Sequence, residues 1–561
     1  MRDTGAPELQ GRTGWLFLAL SVSVAAALRI FWLTTHSQIV NSDGAEYARC
    51  AENLLRGLGF VGVWSRPEVI FPPLYPILIA IVNLLLHNSE LAARIVSVAC
   101  GTLLPIPVFC LTRRLYGGHV ALIAALLVSV HPIFLAISTT TFSESTYLLL
   151  FVWALDWSFK ALWGSDWKSG AIAGTFWGLA YLARPEAFVL EGALVLALAG
   201  LGVALRERRV GLWKAAAAAG IVFALLAAPY VFFLHAKTGQ LRLEGKSNYN
   251  YVVSRRLREG KGLTEAYYAI NNKLEVLGPG LDPVKFATYS PYPKHFGVVL
   301  RMALENAIVH VRDMDDVALT IHSYGSPLVL ILGILGLFRN PWKRERLWKE
   351  IFCFATVGML FVILLSVEWF MIRLALPLLI VLLIWAANGI DEAGKWAVGT
   401  WEALMSPIGR IPSVLRQGVG FVLIAGIFSV GLAGVIKENP FAEESNRNLP
   451  QKEAGIWFKA HILKPGSPAR PRIMSSLSIV SFYAGGDYLP LPHSDSTTAV
   501  RYCEAIAPDF VILDNDHRPY LHDWRLNGLP DSRAKLIYRT GTSPENEVDI
   551  YEWKDGPAAR P

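Results

Sequence analysis

Charge is scarce in this chain, and so is cysteine. Only 17% of the 561 residues are charged while 53% are hydrophobic, a balance too apolar for a soluble chain of this length. The five cysteines (Cys50, Cys100, Cys110, Cys353 and Cys503) are scattered, with no C-x-x-C pair and no metal-ligand spacing, so they announce neither redox chemistry nor a metal site. The histidines of "KHFG" and "DNDHRPYLHD" also lack ligand spacing and read as ordinary surface or loop residues. Internal repeats and low-complexity tracts are missing too. A net charge of +7 would suggest a nucleic-acid partner in a soluble protein, but here the basic residues cluster between apolar runs, which excludes that reading.

What the chain has in abundance is long apolar runs. A bilayer core about 30 Å thick takes about 20 residues per helical span, which places spans near 14–34, 92–112, 118–138, 146–163, 170–184, 187–205, 213–234, 324–338, 350–367, 372–390 and 418–436. The polar leader "MRDTGAPELQGRTGW" and the lack of a small-residue cleavage site after it make the first span a retained anchor. "PPLYPILIAIVNLLLH" at 72–87 is the ambiguous run. It is short, opens with three prolines in five residues and carries Asn83 and His87, features of a helix lying along the interface.

That run decides the sidedness. If 72–87 does not cross, "TRRLYGG", "RERR" and "RNPWKRERLWK" all face the cytoplasm, as Lys and Arg in short loops require. The expected architecture is therefore a polytopic α-helical membrane protein of about 11 transmembrane helices, with periplasmic juxtamembrane helices. Residues 1–436 form the membrane domain with outer loops at 36–91 and 236–322. Residues 437–561 form a small periplasmic α/β domain, in which "RIMSSLSIVSFYA" and "PDFVILD" read as short buried strands. "KSNYNYVVSRRLREGKGLTEAYYAINNKL", 246–274, reads as a polar helix or helix pair in the second outer loop.

Four separate turns then bring acids and arginines to the outer face. "NSDGAEYARCAENLLRG" carries Asp43; its bland reading is an N-cap, with Glu46 completing a capping box and Gly57 closing the helix. "STTTFSEST" carries Glu144, with Ser143 starting a helix as the bland reading. "YLARPEAF" offers Arg184 and Glu186, and "EWFMIRLALPLL" offers Glu368 and Arg373, where snorkelling and interfacial anchoring are the alternatives. Carboxylates and guanidiniums converging at the bilayer edge suit group transfer from a lipid-anchored phosphate. A carboxylate takes the proton of an acceptor hydroxyl, and the planar guanidinium forks hold the phosphate that leaves.

"SDGAEYARCAENLLRGLGF", "FPPLYPILIA", "SES", "LARPE" and "RLALPLL", in this order, resemble the membrane glycosyltransferases of the GT-C fold, specifically the bacterial relatives of protein O-mannosyltransferases and aminoarabinose transferases (glycosyltransferase family 39). The resemblance implies a donor of sugar on polyprenyl phosphate and a glycan, lipid or protein acceptor, at a multi-pass protein of the bacterial inner membrane with its site on the periplasmic side. It implies Asp43 as general base or metal-contacting acid, Glu144 as a second acid, and Arg184, Glu186, Arg373, Lys246 and Glu46 as substrate contacts. Where many members have adjacent Asp-Glu, this chain has Asp43-Gly44, so no cofactor is definite and a divalent metal stays open. The expected reaction is an inverting transfer to a hydroxyl. A transporter or lipid-linked glycan flippase is the rival class; Asp156 with Lys160, one turn apart, and Glu191 are its few intramembrane candidates. A glycan polymerase or ligase is the chemically close alternative.

Overall fold

The computed structural model describes residues 12–35, 39–271, 273–276, 326–366, 372–405, 412–438, 440–463, 470–541 and 547–554. The protein is mostly helical. Among the described residues, seven helices are long and apolar enough to cross a membrane: Gly14–Thr35, Ser89–Tyr116, Ala187–Ala204, Arg206–Thr238, Arg344–Leu364, Arg373–Leu404 and Ser413–Ala433. The other four expected spans differ in form. The 118–138 run is broken into helices Gly118–Val130 and Pro132–Ile137, because Pro132 lacks an N–H and pushes His131 into extended geometry. The 146–163 and 170–184 runs lie in helices Glu144–Gly164 and Trp167–Ala183, and the 324–338 run in the 13-residue helix Ser326–Phe338. The ambiguous 72–87 run forms Leu74–Leu86, also 13 residues. At 1.5 Å per residue each of the 13-residue helices, Gly118–Val130, Ser326–Phe338 and Leu74–Leu86, is about 20 Å long, shorter than a bilayer core of about 30 Å.

The chain folds as two compact units. The first comprises Met1–His36, Arg94–Pro229 and His295–Pro440; the second comprises Ser37–Ala93, Tyr230–Lys294 and Phe441–Pro561.

In the first unit helices approach closely where side chains are small. A Cβ on Gly170 would lie 2.4 Å from the Ala215 carbonyl oxygen, and one on Gly174 would lie 2.3 Å from that of Ala219. The two glycines stand one turn apart on Trp167–Ala183, and the two alanines one turn apart on Arg209–Thr238, so backbone meets backbone along a small-residue seam. Buried Asp156 meets an arginine from another helix. Asp156 accepts from Arg114 Nε at 2.7 Å and Nη2 at 3.3 Å, while Lys160 stands over the Trp157 ring at 4.1 Å. Asp156 thus takes its hydrogen bonds from a distant arginine, while the Lys160 charge still acts on it from one turn away. Arg29, wholly buried, donates from Nη1 to the Ala25 and Ser129 carbonyls at 3.2 and 3.1 Å, the second next to the break at Pro132.

The second unit is built on a five-stranded sheet: β1 Arg472–Ser475, β2 Asp487–Pro490, β3 Phe510–Leu513, β4 Ala534–Thr540 and β5 Val548–Trp553, in the order β2-β1-β3-β5-β4. β1 runs parallel to β2 and β3, and β5 is antiparallel to β3 and β4. Alternation along the strands supplies two apolar faces: Met474, Val511, Leu513 and Tyr551 enter one cluster with Trp524 and Tyr502, while Ile473, Ile512 and Ile550 enter another with Phe458 and Val480. "RIMSSLSIVSFYA" is half strand only. Its second half is the buried helix Ser478–Ala484, closed by Gly485 at φ 74°. Against that helix packs Ser42–Leu55, through Ala45 and Ala48 on Ile479, Phe482 and Tyr483. Arg49, itself buried, donates to the Ser481, Phe482 and Gly486 carbonyls at 3.4, 3.3 and 3.2 Å. The 246–274 stretch forms helices Ser247–Arg258 and Leu263–Tyr268.

Candidate active site

The first unit gathers four of the expected residues in one place. Glu144 opens the helix Glu144–Gly164, Arg184 ends Trp167–Ala183 just before the breaker Pro185, Glu186 precedes Ala187–Ala204, and Arg373 lies in the short turn Ile372–Ala375. Every one of them therefore sits at a helix end, where apolar periodicity stops and a charged side chain can turn inward. Glu144 is 2% exposed. Its Oε1 accepts from Arg184 Nη1 at 2.6 Å and lies 3.5 Å from Arg373 Nη1, while Arg184 Nη2 reaches Glu186 Oε1 at 2.9 Å. Both guanidiniums lie over aromatic rings, Arg184 over Tyr147 at 5.8 Å and Arg373 over Phe142 at 4.7 Å, contacts suited to a planar, weakly hydrated cation. Glu144 Oε2 is buried with no hydrogen-bond partner, so the carboxylate has one oxygen engaged and one to offer. Ser143 stands at the N-cap position without a capping bond, which removes the bland reading of this turn.

These residues line a pocket. Its polar end is Glu144, Arg184, Glu186 and Arg373, and its apolar wall is built from Leu148, Leu360, Leu364 and Pro377. A charged end against an aliphatic wall is the shape complement of an amphiphile with an anionic head. Glu368, the other acid expected near this turn, lies outside the described residues.

Asp43, Glu46 and Lys246 belong to the second unit. Asn41, not Asp43, caps the helix Ser42–Leu55: its side chain accepts from the Gly44 N–H at 2.7 Å. Asp43 is left half-buried in the first turn, where the helix dipole favours the carboxylate. Nor does Glu46 close a capping box. It is 4% exposed and its Oε2 accepts from the Val63 N–H at 3.0 Å. Lys246 lies over the Phe71 ring at 4.8 Å, and its charge acts on Glu68. Glu68, which sequence reasoning missed, is 2% exposed and takes the N–H groups of Ile70 and Phe71 on Oε1 at 2.6 and 2.8 Å. Burial, reinforced by the Glu68 charge, pushes the Glu46 carboxyl well above the usual carboxylate range. The signal for Glu68 was faint, an acid just before a proline-rich turn.

Residues 71–233 match the dolichyl-phosphate-mannose-protein mannosyltransferase family. A search of curated proteins finds no match. Among solved structures the chain is similar to the oligosaccharyltransferase AglB of Archaeoglobus fulgidus, in complex with an inhibitory peptide and a dolichol-phosphate, with a TM-score of 0.60 at 15% identity over 93% of this chain and 72% of that one. It is also similar to ArnT of Cupriavidus metallidurans bound to undecaprenyl phosphate, with a TM-score of 0.56 at 14% identity over 96% and 98% of the two chains.

The chain has the GT-C fold of membrane glycosyltransferases.

The family match spans Glu144, Arg184 and Glu186 and leaves Asp43, Glu68 and Arg373 outside, Glu68 three residues before its start. ArnT matches along nearly its whole length, AglB over about three quarters of its own.

Proposed function

We propose that the protein transfers a sugar from a polyprenyl-phosphate carrier to a hydroxyl acceptor on the outer face of the membrane, with inversion at the anomeric carbon. The observation that carries the reading is the cluster of Arg184 and Arg373 on Glu144, at the polar end of a cavity with an aliphatic wall. Such a place holds a phosphate head and the first carbons of its lipid, and the lipid phosphates bound in the AglB and ArnT structures are molecules of this kind.

Asp43 takes the proton of the acceptor hydroxyl as that oxygen bonds to the anomeric carbon. The bond from this carbon to the phosphate oxygen breaks, and both of its electrons leave with the polyprenyl phosphate. Arg184 and Arg373 stabilise that growing negative charge, while Glu144 fixes the two guanidiniums and offers Oε2 to the sugar. A positioned base contributes about 10² to 10⁴-fold, and each fixed donor on the leaving group a comparable factor.

The test is release of polyprenyl phosphate from a panel of polyprenyl-phospho-sugars by the purified chain in detergent, where no gradient exists, with an extract of envelope lipids and glycans supplied as the source of acceptor hydroxyls. Turnover there supports the transferase. Gradient-dependent movement of lipid without bond cleavage, measured in vesicles, would instead support the flippase. Comparing the envelope glycans and lipids of a deletion strain with its parent identifies the sugar and the acceptor.

A further inference from the structure

A second group of chemistry-bearing side chains lies in the second unit, and the transfer reaction makes no use of it. Glu46, Cys50 and Glu68 are all buried, and one ligand atom from each lies within 4.8 Å of the others. Glu46 and Cys50 are four residues apart on the helix Ser42–Leu55, so they project from one face. Glu68 comes from the loop that follows this helix.

Each carboxylate is anchored by one oxygen. Glu46 Oε2 takes the Val63 N–H, and Glu68 Oε1 takes two backbone N–H groups. Glu46 Oε1 is buried and receives no N–H or hydroxyl donor, and the two carboxyls are close enough to share a proton. Glu46 Oε1 lies against Gly62: a Cβ there would fall 1.3 Å from it, so any larger residue would have to push the Glu46 carboxyl aside.

Electrostatically the group is incomplete. Two carboxyls and a thiol share a buried site; the Arg49 charge reaches Glu46 and Cys50, but its hydrogen bonds and ion pair go to Glu52 and the carbonyls of Ser481, Phe482 and Gly486. Lys246 acts on Glu68 from beside the Phe71 ring and compensates one acid at most. Buried charge of one sign calls for a bound cation or a retained proton. The thiol favours the first. A proton shared by two carboxyls has no use for a sulfur, whereas one sulfur and two oxygens form a three-ligand set for a borderline-soft divalent ion with its fourth position open.

We propose that Glu46, Cys50 and Glu68 bind a divalent metal ion of the zinc class, which clamps the loop around residues 62–71 to the helix that carries Asp43. Binding displaces the Cys50 proton and any proton held between the two carboxyls. The ion is a positioning element and does not depend on the transferase reading.

The full chain, purified in detergent without chelator, is assayed for bound metal by elemental mass spectrometry. It is then stripped and reloaded with cobalt(II). The expected result is close to one zinc per chain, a near-ultraviolet thiolate-to-cobalt band, and a melting temperature that falls on chelation and recovers with Zn²⁺. Glu46→Gln weakens metal binding by at least about tenfold, and Cys50→Ala abolishes the cobalt band while leaving both acids in place. Cys50→Ala keeps the test decisive if Glu46→Gln does not fold. Wild-type protein that takes up neither zinc nor cobalt overturns the proposal, as does a cobalt complex lacking the thiolate band. A Glu46→Gln variant that melts like wild type, with no response of either protein to Zn²⁺, would assign the pair to a shared proton.

Discussion

Two sets of buried acids, one in each unit, are held by opposite means. In the first, Glu144 meets fixed cations: Arg184 at 2.6 Å and Arg373 at 3.5 Å share one of its oxygens, and Asp156 is likewise met by Arg114. In the second, Glu46 meets another acid, Glu68, and Asp514 is held by neutral donors, the Ser476 hydroxyl and Gln451 Nε2. An acid with a built-in counter-charge is set to manage charge that arrives with a ligand. An acid without one must hold a proton or recruit a cation. The contrast accounts for why one cluster reads as a seat for an anionic lipid head and the other as a metal site.

The largest expected effect is at the proposed base. Asp43→Asn keeps the helix, because Asn41 is the cap, and lowers turnover by about 10² to 10⁴-fold with little change in melting temperature. Full transfer activity in this variant would remove Asp43 from the mechanism.

Arg184→Ala breaks the counter-charge design of the first unit. It leaves Glu144 with Arg373 and takes the Arg184 fork from Glu186, destabilises the protein by about 3 kcal/mol, and lowers turnover by about 10² to 10³-fold. Arg184→Ala combined with Glu144→Gln should recover most of the stability and none of the activity, which separates the two roles.

Asp514 sharpens the other half of the comparison. Burial, with the Asp516 charge behind it, pushes its carboxyl up to about 6. A carboxyl raised in the fold contributes stability that is fully present below its unfolded value near pH 4 and lost as pH rises through about 6. The loss is about 3 kcal/mol. Melting curves of wild type and Asp514→Asn in detergent should diverge between about pH 4 and 6.5, with the variant gaining at the higher pH; parallel curves would contradict this. The asparagine is accommodated because Gln451 Oε1 is buried without a partner and can turn to accept from it.

Gly174→Val tests the seam of the first unit. Its side chain would collide with the Ala219 carbonyl, at a cost of about 1 to 3 kcal/mol, read as a lower melting temperature.

Much of the membrane architecture was legible because apolar runs of spanning length announce themselves. The run at 118–138 was misjudged as one helix because its total hydropathy hides a single breaker, Pro132. "SIVSFYA" passed for a strand because a short buried helix and a short buried strand are equally apolar. At the candidate site, Glu144, Arg184, Glu186 and Arg373 could be singled out as charges interrupting apolar sequence. Their partners could not, since which arginine meets which acid depends on helix packing. Asp156 shows this directly: a local Lys160 stood one turn away, and the distant Arg114 won because a guanidinium fork binds a carboxylate with two bonds. The Glu46–Cys50–Glu68 group was invisible for the same reason, its third member lying 18 residues beyond Cys50 across a loop.

Binding of undecaprenyl phosphate to the full chain in detergent, by native mass spectrometry, tests the central claim most directly. With Arg373→Gln, and separately Arg184→Gln, the lipid phosphate should bind at least about tenfold more weakly than to wild type, since each change removes a charge-assisted contact of about 1.5 kcal/mol or more. Equal binding by both variants would mean that the arginines on Glu144 hold the helices together and do not receive the donor's phosphate.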